Sequence, residues 1–358
     1  MTKPKAARAQ YLVTFPMGLD GLVMDELQQK VPGFALEART SRDICFAYDG
    51  SPADLLTLRS VSDAWLVLWR SGPLGPRFAD LRLFAEQMAK LRLEDGITSL
   101  RAAGFRPKHH MTFVVNCSLR GQRAYRRVDA IAAVERALVG NSAGRLRPVR
   151  ENADLRLWLH IGVEETHLCL ALAHTPLGLR QRAVSLPTAL PAPVAYAMAA
   201  LTKPRPDDVF LDPMCGTGSI ALERAENWRH ALILAGDREP QAVAAVRENF
   251  GPRHRPREFL LWDATALPLP KHSVSAAACN PPHGVQMRPA QGIEALYRGF
   301  LAEAGRVLKP FALLTFLTPE RQLTDRLLRE AGGWSIERCF VIDLLGQRPY
   351  LYVLRRML

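Results

Sequence analysis

The chain has 358 residues, of which 48% are hydrophobic and 23% are charged, and its formal net charge is +12. This size and composition favour a globular protein of two or three domains and exclude a disordered or fibrous chain. No run of about 18 uncharged apolar residues occurs, so no membrane span is predicted, and a cytoplasmic protein is expected. The six cysteines include no CxxC pair, so neither a disulfide framework nor a metal site is predicted.

The first part of the sequence predicts a small α+β domain over residues 1–74. Apolar runs rich in β-branched and aromatic residues indicate strands, and apolar residues at helical spacing indicate helices. The predicted elements are, in chain order, a strand at 11–16, a helix at 18–30, a strand at 44–50, a helical segment at 51–60 and a strand at 64–69.

A second block, over residues 75–175, carries most of the positive charge. Its predicted elements are a helix at 79–91, a strand at 111–117, a helix at 128–139 and paired strands at 155–161 and 167–173. Residues 101–150 contain eleven basic and two acidic residues. Such a patch is typical of a surface that binds nucleic-acid phosphates, and the alternative is a solvated arginine-rich surface. The residues expected to contact RNA are Arg120, Arg123, Arg126 and Arg127.

The third block follows a predicted linker at 176–193, which four prolines interrupt. From 194 to 358, apolar strands alternate with helices, a pattern that predicts an α/β fold whose parallel sheet is covered on both faces. The final two strands have no helix between them and predict an antiparallel edge hairpin. The predicted strands are 209–212, 231–237, 258–263, 274–279, 311–317, 336–345 and 350–356, and the predicted helices are 194–202, 219–227, 240–249, 291–307 and 320–331.

The first candidate site is the segment DPMCGTGS at 212–219, between a predicted strand and a predicted helix. Its glycines, Gly216 and Gly218, lie where the backbone must approach a ligand closely. Asp237 ends the next strand, where a carboxylate can accept hydrogen bonds from ribose hydroxyls. Asp263 ends the third strand and can accept one from an adenine amino group. With Asp212, these strand-end carboxylates predict an adenosine-containing ligand, although each alone could merely cap a turn.

The motif NPPH at 280–283 directly follows the fourth predicted strand. An exocyclic amine on a base is a poor nucleophile because its lone pair is delocalised into the ring. The side-chain oxygen of Asn280 and an adjacent backbone carbonyl can accept the two amine hydrogens and aim the lone pair at a methyl donor. Pro281 holds the backbone rigidly, and His283 can stack on the base. A nicotinamide-dependent dehydrogenase does not require this element.

Two cysteines raise a competing reaction. A cytosine-C5 methyltransferase needs a cysteine nucleophile. Cys279 closes an apolar strand immediately before Asn280, so we expect it to pack beneath the site. Cys215 lies in the glycine-rich loop.

These motifs give residues 190–358 a resemblance to class I methyltransferases of the amino-methylating type. The whole chain resembles the THUMP-domain RNA guanosine-N2 methyltransferases, through its opening YLVTFPMGLDGLVMDEL and through LGLRQRA at 177–183. The resemblance implies a ferredoxin-like domain over 1–74, a THUMP domain over 75–175, the linker at 176–193 and a Rossmann-like methyltransferase domain over 194–358.

The resemblance also implies a cofactor, S-adenosyl-L-methionine, and a role for each motif residue. Asp237 is expected to meet its ribose, Asp263 its adenine, and Asn280 both the cofactor and the target base. Pro281 and His283 are expected to complete the base site. The family more often has Tyr or Phe where this chain has His283, and GSGT where it has GTGS. The residues expected to line the rest of the cofactor are Asp212, Pro213, Cys215, Gly216 and Gly218.

The function expected from these features is methylation of a guanosine N2 in tRNA, with no obligate protein partner. Three alternatives stay open at this point: the same chemistry on ribosomal RNA, adenine-N6 methylation of DNA, and a non-catalytic RNA-binding protein of the same fold. The N-terminal layout favours RNA over DNA, and the intact motif residues favour an enzyme.

Overall fold

The computed structural model of the protein describes residues 8–180, 182–184, 189–282, 292–344 and 346–358. These residues form two compact units. The first contains the described residues up to Phe15 together with Val23–Leu177. The second contains Pro16–Leu22 and the described residues of Gly178–Leu358. The division after Leu177 falls within the predicted linker.

The first half of the chain contains eight strands that form one sheet, in the order β2-β3-β1-β4-β8-β7-β5-β6. Its elements are β1 (Ala9–Thr14), α1 (Asp20–Lys30), β2 (Ala35–Arg39), β3 (Asp43–Tyr48), α2 (Pro52–Leu55), β4 (Asp63–Ser71), α3 (Phe78–Met88), α4 (Leu93–Ala102), β5 (Met111–Leu119), α5 (Arg127–Asn141), β6 (Leu146–Pro148), β7 (Leu155–Ile161) and β8 (Thr166–Ala171).

This sheet combines strands from both predicted N-terminal domains. The antiparallel pair β4 and β8, in which Trp65 lies opposite Ala171, joins the two groups of strands. The indole rings of Trp65 and Trp158 pack at 5.5 Å beside this junction. The domain boundary at residues 74 and 75 therefore stays a prediction, because the hydrogen-bonded ladder continues across it.

The second half of the chain contains the alternating pattern predicted from residue 194 onwards. Its elements are α6 (Ala192–Leu201), β9 (Val209–Asp212), α7 (Ser219–Asn227), β10 (Leu232–Asp237), α8 (Pro240–Phe250), β11 (Arg257–Leu261), β12 (Val274–Cys279), α9 (Ile293–Val307), β13 (Leu308–Thr318), α10 (Arg321–Ala331), β14 (Trp334–Val341) and β15 (Tyr350–Arg356).

The seven strands of this half lie in the order β11-β10-β9-β12-β13-β15-β14. The first five are parallel, and β15 pairs antiparallel with both β13 and β14, which confirms the predicted edge hairpin. After β9 the chain winds outward through β10 and β11, and it then returns to place β12 on the other side of β9. The strand order therefore reverses between β9 and β12, where sheets of this type form a ligand crevice.

The core of the second unit lies on both faces of this sheet. The small residues Ala276, Ala277 and Ala278 of β12 are buried, as expected for a central parallel strand covered on both sides. On one face, Tyr297 and Phe300 of α9 pack their rings against Phe316 of β13 at 5.1 and 5.8 Å. Among the described residues, no helix has the length and apolar character required to cross a membrane.

Candidate cofactor and catalytic site

The site residues come together because parallel strands end at the same edge of the sheet. Asp212, the last residue of β9, lies opposite Ala235 of β10, and Leu211 lies opposite Ala277 of β12. Asp237 ends β10, and Asn280 directly follows β12. The structure thus brings Asp212, Asp237 and Asn280 to one edge, on the two sides of the strand-order reversal.

The glycine-rich loop follows β9 and requires its glycines for two different reasons. Both Gly216 (φ 51°) and Gly218 (φ 82°) have left-handed backbone conformations, which non-glycine residues adopt at a cost. A Cβ on Gly218 would lie 2.4 Å from Cγ2 of Val246, so this glycine permits α7 and α8 to pack closely. A Cβ on Gly216 would meet no atom within 4 Å, so this position faces open space at the edge of the site.

Three hydrogen bonds fix the loop onto the neighbouring strands. The amide of Cys215 donates to the carbonyl of Gly236 at 2.9 Å, and the amide of Gly216 donates to Oδ2 of Asp237 at 2.9 Å. The indole Nε1 of Trp262 donates to the carbonyl of Pro213 at 3.0 Å. Pro213 and Cys215 are therefore held with the glycines where a ligand would lie.

Trp262 is a structural residue that the sequence analysis missed. A Cβ on Gly236 would lie 2.3 Å from its ring, so the missing side chain on β10 leaves the space that the indole fills. This packing also explains why β11 ends at Leu261 rather than at the predicted residue 263, because Trp262 turns back onto β10. No local pattern indicates this contact, because Gly236 and Trp262 are distant in sequence.

Asp237 combines a structural role with a free capacity to accept further hydrogen bonds. Its Oδ2 accepts from Gly216, and its Oδ1 accepts from the amide of Glu239 at 3.1 Å. Each carboxylate oxygen has two lone pairs, so both oxygens can accept another hydrogen bond. The predicted contact with a ribose diol is compatible with this geometry and stays a prediction.

Asp212 carries an incompletely satisfied carboxylate inside the protein. The residue is 1% exposed; its Oδ2 accepts from the amide of Ala221 at 3.3 Å, and its Oδ1 is buried without a hydrogen-bond partner among the described residues. Burial raises the pKa of Asp212 to about 8, and the nearby charge of Asp237 adds to the rise. A cationic group beside this oxygen would stabilise the ionised carboxylate.

Two more unsatisfied polar atoms lie around the same loop: the buried Oγ1 of Thr217 and the buried Nε of Arg182. Arg182 also donates from Nη1 to Oγ of Ser219 at 2.5 Å, in the first turn of α7. The loop region thus offers a carboxyl group and a guanidinium group that lack full partners among the described residues. This donor and acceptor set fits the ammonium and carboxylate groups of an amino acid, which S-adenosyl-L-methionine contains. Arg182 was also missed by the sequence analysis.

Asp263 lies beyond β11, on an exposed turn. Its Oδ1 accepts from both the amide and the hydroxyl of Thr265, at 2.8 and 2.7 Å, and these bonds lower the pKa of the carboxyl group. The side chain therefore shapes the turn, which is the alternative that the sequence left open. Its predicted contact with adenine is not excluded by these bonds and stays a prediction.

The NPP motif lies at the end of β12, as its position in the sequence predicted. Pro281 is buried, and Asn280 is partly buried at the edge that also carries Asp212. His283 lies outside the described residues, so its stacking role stays a prediction. Cys279 is 0% exposed, and burial raises its pKa well above the ordinary value. Burial likewise raises the pKa of Cys215, so both thiols stay protonated and neither is suited to nucleophilic attack.

The predicted RNA-binding arginines divide into two groups in the first unit. The side chains of Arg120, Arg126 and Arg127 are exposed. Among the described residues, the guanidinium of Arg126 forms one ion pair, a long one of 3.7 Å with Asp129, and the side chain is 82% exposed.

Arg123 has a different environment. Its Nη1 donates to the carbonyl of Leu74, its Nη2 to that of Gly162 at 2.7 Å, and its Nε to that of Arg120 at 3.2 Å. The guanidinium also lies 5.9 Å from the ring centre of Tyr125. Arg123 therefore holds three backbone segments together, and this role was not foreseen from the sequence.

Comparisons with known proteins agree with this fold. The family model described as UPF0020, RMKL-like, methyltransferase domain matches residues 180–344. The crystal structure of TrmN from Thermus thermophilus has a TM-score of 0.83 at 25% identity and covers 98% of this chain and 100% of that chain. Fold and site thus define a class I methyltransferase, and the cofactor of this class is S-adenosyl-L-methionine.

The family follows from a relative that matches almost the entire chain. The tRNA (guanine(6)-N2)-methyltransferase of Thermus thermophilus is 30% identical over 352 residues, which cover 95% of this chain and 97% of that protein. The chain belongs to this family of tRNA guanine-N2 methyltransferases, which confirms the resemblance seen in the sequence. The mouse tRNA (guanine(6)-N(2))-methyltransferase THUMP3 is 30% identical over 57% of this chain, and the match spans 44% of its own length. This chain therefore spans less than half of that mammalian relative.

Proposed function

We propose that this protein transfers a methyl group from S-adenosyl-L-methionine to the exocyclic N2 of a guanosine in tRNA. The observation that carries the proposal is the convergence of Asp212, Asp237 and Asn280 at the carboxyl edge of three neighbouring strands. This edge would place a nucleoside-containing donor on one side of the strand-order reversal and a target amine on the other. Family membership supports the same chemistry.

Asn280 would position the target amine. Its amide oxygen accepts one amine hydrogen, and an adjacent backbone carbonyl accepts the other, so that the lone pair faces the methyl donor. The buried Pro281 keeps the backbone of this segment fixed. Acceptors that are fixed before the base binds require little reorganisation when charge develops on the amine nitrogen.

The loop after β9 would hold the cofactor. Asp212 would accept from the ammonium group of its methionine moiety, and Arg182 would donate to the carboxylate. Asp237 would accept from the ribose hydroxyls, with Asp263 near the adenine. When bound, the cofactor supplies the electrophilic methyl group. The buried, unpartnered oxygen of Asp212 and nitrogen of Arg182 support this assignment.

The exposed arginines of the first unit would bind the RNA backbone. Arg120, Arg126 and Arg127 lie in the stretch that carries eleven basic and two acidic residues. Phosphate contacts provide affinity and orientation rather than sequence selection, so this surface would accept the fold of a tRNA. With tRNA as the substrate, we propose that the protein acts in the cytoplasm. We expect no obligate protein partner.

Two alternatives are less well supported. Ribosomal RNA offers the same guanosine amine, but the relative that matches almost the whole chain is named a tRNA enzyme. Adenine-N6 methylation of DNA also uses an NPP motif, yet the family points to guanine and RNA. A binding protein without turnover would not require the site residues to converge as they do.

A direct experiment is nucleoside mass spectrometry of purified tRNA and rRNA from a strain that lacks the gene. The proposal predicts loss of N2-methylguanosine from a tRNA fraction and its return when the wild-type gene is restored. Loss confined to rRNA would show that the substrate is rRNA and not tRNA. Unchanged N2-methylguanosine in both fractions would contradict the proposal.

A further inference from the structure

A cavity of about 690 Å³ lies at the amino edge of the second sheet, opposite the edge that carries Asp212 and Asp237. Its wall contains Pro206 before β9, the segment after α7 from Trp228 to His230, and the segment before β11 that includes His254 and Arg255. None of these residues takes part in the proposed methyl transfer.

Two arginines line the cavity. Arg229 and Arg255 are exposed, and neither forms an ion pair with a described residue. Glu226 is the single carboxylate among the described lining residues. Two unpaired guanidinium groups beside one carboxylate leave a net positive site, which favours an anionic ligand.

Two imidazoles complete the wall, and each has one ring nitrogen that is unsatisfied. Nε2 of His230 and Nε2 of His254 are buried and form no hydrogen bond with a described residue. His254 adopts a left-handed backbone conformation (φ 59°), which is uncommon for a residue with a side chain and is often kept for a functional reason. Among the described residues no group of three His, Cys, Asp or Glu side chains is placed to hold a metal ion.

The other ring nitrogen of His230 has a backbone partner. Nδ1 lies 3.3 Å from the carbonyl of Trp228, which can only accept, so Nδ1 carries the hydrogen. With Nδ1 donating to this carbonyl, Nε2 points to a separate partner. A phosphate oxygen only accepts, so a hydrogen bond from Nε2 to it requires a hydrogen on Nε2 as well.

We propose that this cavity binds a phosphate group, with Arg229 and Arg255 neutralising its charge and protonated His230 and His254 donating hydrogen bonds from Nε2. The phosphate can belong to a small anion or to an RNA strand. Guanidinium groups pair with phosphate through two parallel hydrogen bonds, and imidazolium adds charge-assisted ones.

The test follows the imidazole nitrogens of the full chain by NMR. The ¹⁵N-labelled protein is titrated with inorganic pyrophosphate in one arm and with an unmodified tRNA transcript in the other. His230→Gln and His254→Gln assign the two Nε2 resonances. We expect both resonances to move from the lone-pair to the protonated position with pyrophosphate. The same movement with tRNA identifies an RNA phosphate, and its absence there identifies a small anion.

Matched variants separate this site from general basic charge. Arg229→Ala combined with Arg255→Ala is expected to weaken pyrophosphate binding by about tenfold or more. Arg253→Ala, an exposed arginine of the same segment outside the cavity wall, is expected to change it by less than about twofold. Unchanged S-adenosyl-L-methionine affinity shows that the variants are folded. Static Nε2 resonances with both probes, or equal binding by the double variant and the wild type, would overturn the proposal.

Discussion

The backbone amide of Gly216 donates a hydrogen bond of 2.9 Å to Oδ2 of Asp237. One carboxylate therefore fixes the glycine-rich loop after β9 and also stands where a ribose is expected. Loop position and cofactor affinity should consequently depend on the same side chain.

Asp237→Ala is expected to weaken S-adenosyl-L-methionine binding by about 1.5–3 kcal/mol per lost charged hydrogen bond to the ligand. The loop also loses its bond at Gly216. Asp263→Ala should cost less, because this side chain is exposed and its Oδ1 mainly bonds Thr265. Calorimetry measures both affinities, and wild-type binding by Asp237→Ala would show that the ribose assignment is wrong.

The two loop glycines are expected to differ in their sensitivity to alanine. Gly218→Ala should destabilise the second unit by about 1–3 kcal/mol more than Gly216→Ala, because its Cβ would overlap Val246 whereas Gly216 faces open space. Both variants carry the cost of a positive φ. Thermal unfolding provides the comparison. Adding Val246→Ala should recover part of the loss in Gly218→Ala and none in Gly216→Ala; equal losses in the two single variants would refute the packing argument.

Asp212 is expected to make the cofactor-free protein less stable as the pH rises. Its folded pKa of about 8 lies above the ordinary value of 3.8. Between pH 3.8 and about 8 the folded state keeps a proton on Asp212 that the unfolded state has released. The free energy of unfolding therefore has its full value below this range and falls as the pH rises through it. The slope is at most about 1.4 kcal/mol per pH unit. In Asp212→Asn the free energy of unfolding should fall less steeply between pH 5 and 8, by up to about 1.4 kcal/mol per pH unit. The melting temperature of the variant should accordingly change less over this range than that of the wild type.

The exposed Asp207→Asn serves as the control for this pH dependence. It should leave the pH profile of the wild type unchanged. A profile equally steep in Asp212→Asn would show that another group carries the effect.

The arginines of the first unit should separate into RNA contacts and a structural residue. Replacing Arg120, Arg126 and Arg127 with Ala should lower the slope of log K against log salt by roughly 2–3 units on a duplex tRNA stem. Arg123→Ala should instead lower the melting temperature, because its guanidinium binds the carbonyls of Leu74 and Gly162. The measurement is tRNA affinity as a function of salt concentration. An unchanged slope in the triple variant would show that these arginines do not bind RNA phosphates.

Much of the fold follows from the sequence because the central strands are buried on both faces. The predicted bounds of β7, β9, β12 and β15 agree with the structure, since their apolar residues contrast with polar breakers on each side.

The elements missed by the analysis lack that contrast. Strand β2 is mostly exposed and β6 has three residues, so neither carries a strong pattern. Helix α4 contains Gly96, which disfavours a helix locally. A Cβ there would lie 2.7 Å from Cδ2 of Leu68, so the glycine lets α4 pack closely against β4 without a shift of that side chain. Tertiary packing thus decides an element that local propensity opposes.

The part of the candidate site that could be predicted from the sequence consists of residues at strand ends and of glycines in the loop after β9. Asp212, Asp237 and Asn280 meet because parallel strands share an edge, which the alternation of elements already implied. The packing of Trp262 on Gly236 and the hydrogen bonds of Arg123 were not predictable, because each depends on residues distant in sequence.

The most direct test of the proposed function is single-turnover methyl transfer to unmodified tRNA by Asn280→Ala, at saturating cofactor, with mass spectrometry of the product nucleoside. The wild type should form N2-methylguanosine. The variant should react about 100- to 1000-fold more slowly, because one preorganised acceptor of the amine is lost. Gln322→Ala, which removes an exposed amide from the same unit, should react at the wild-type rate. A near-wild-type rate for Asn280→Ala, or a product methylated on a ring carbon, would contradict the amino-methyltransferase mechanism.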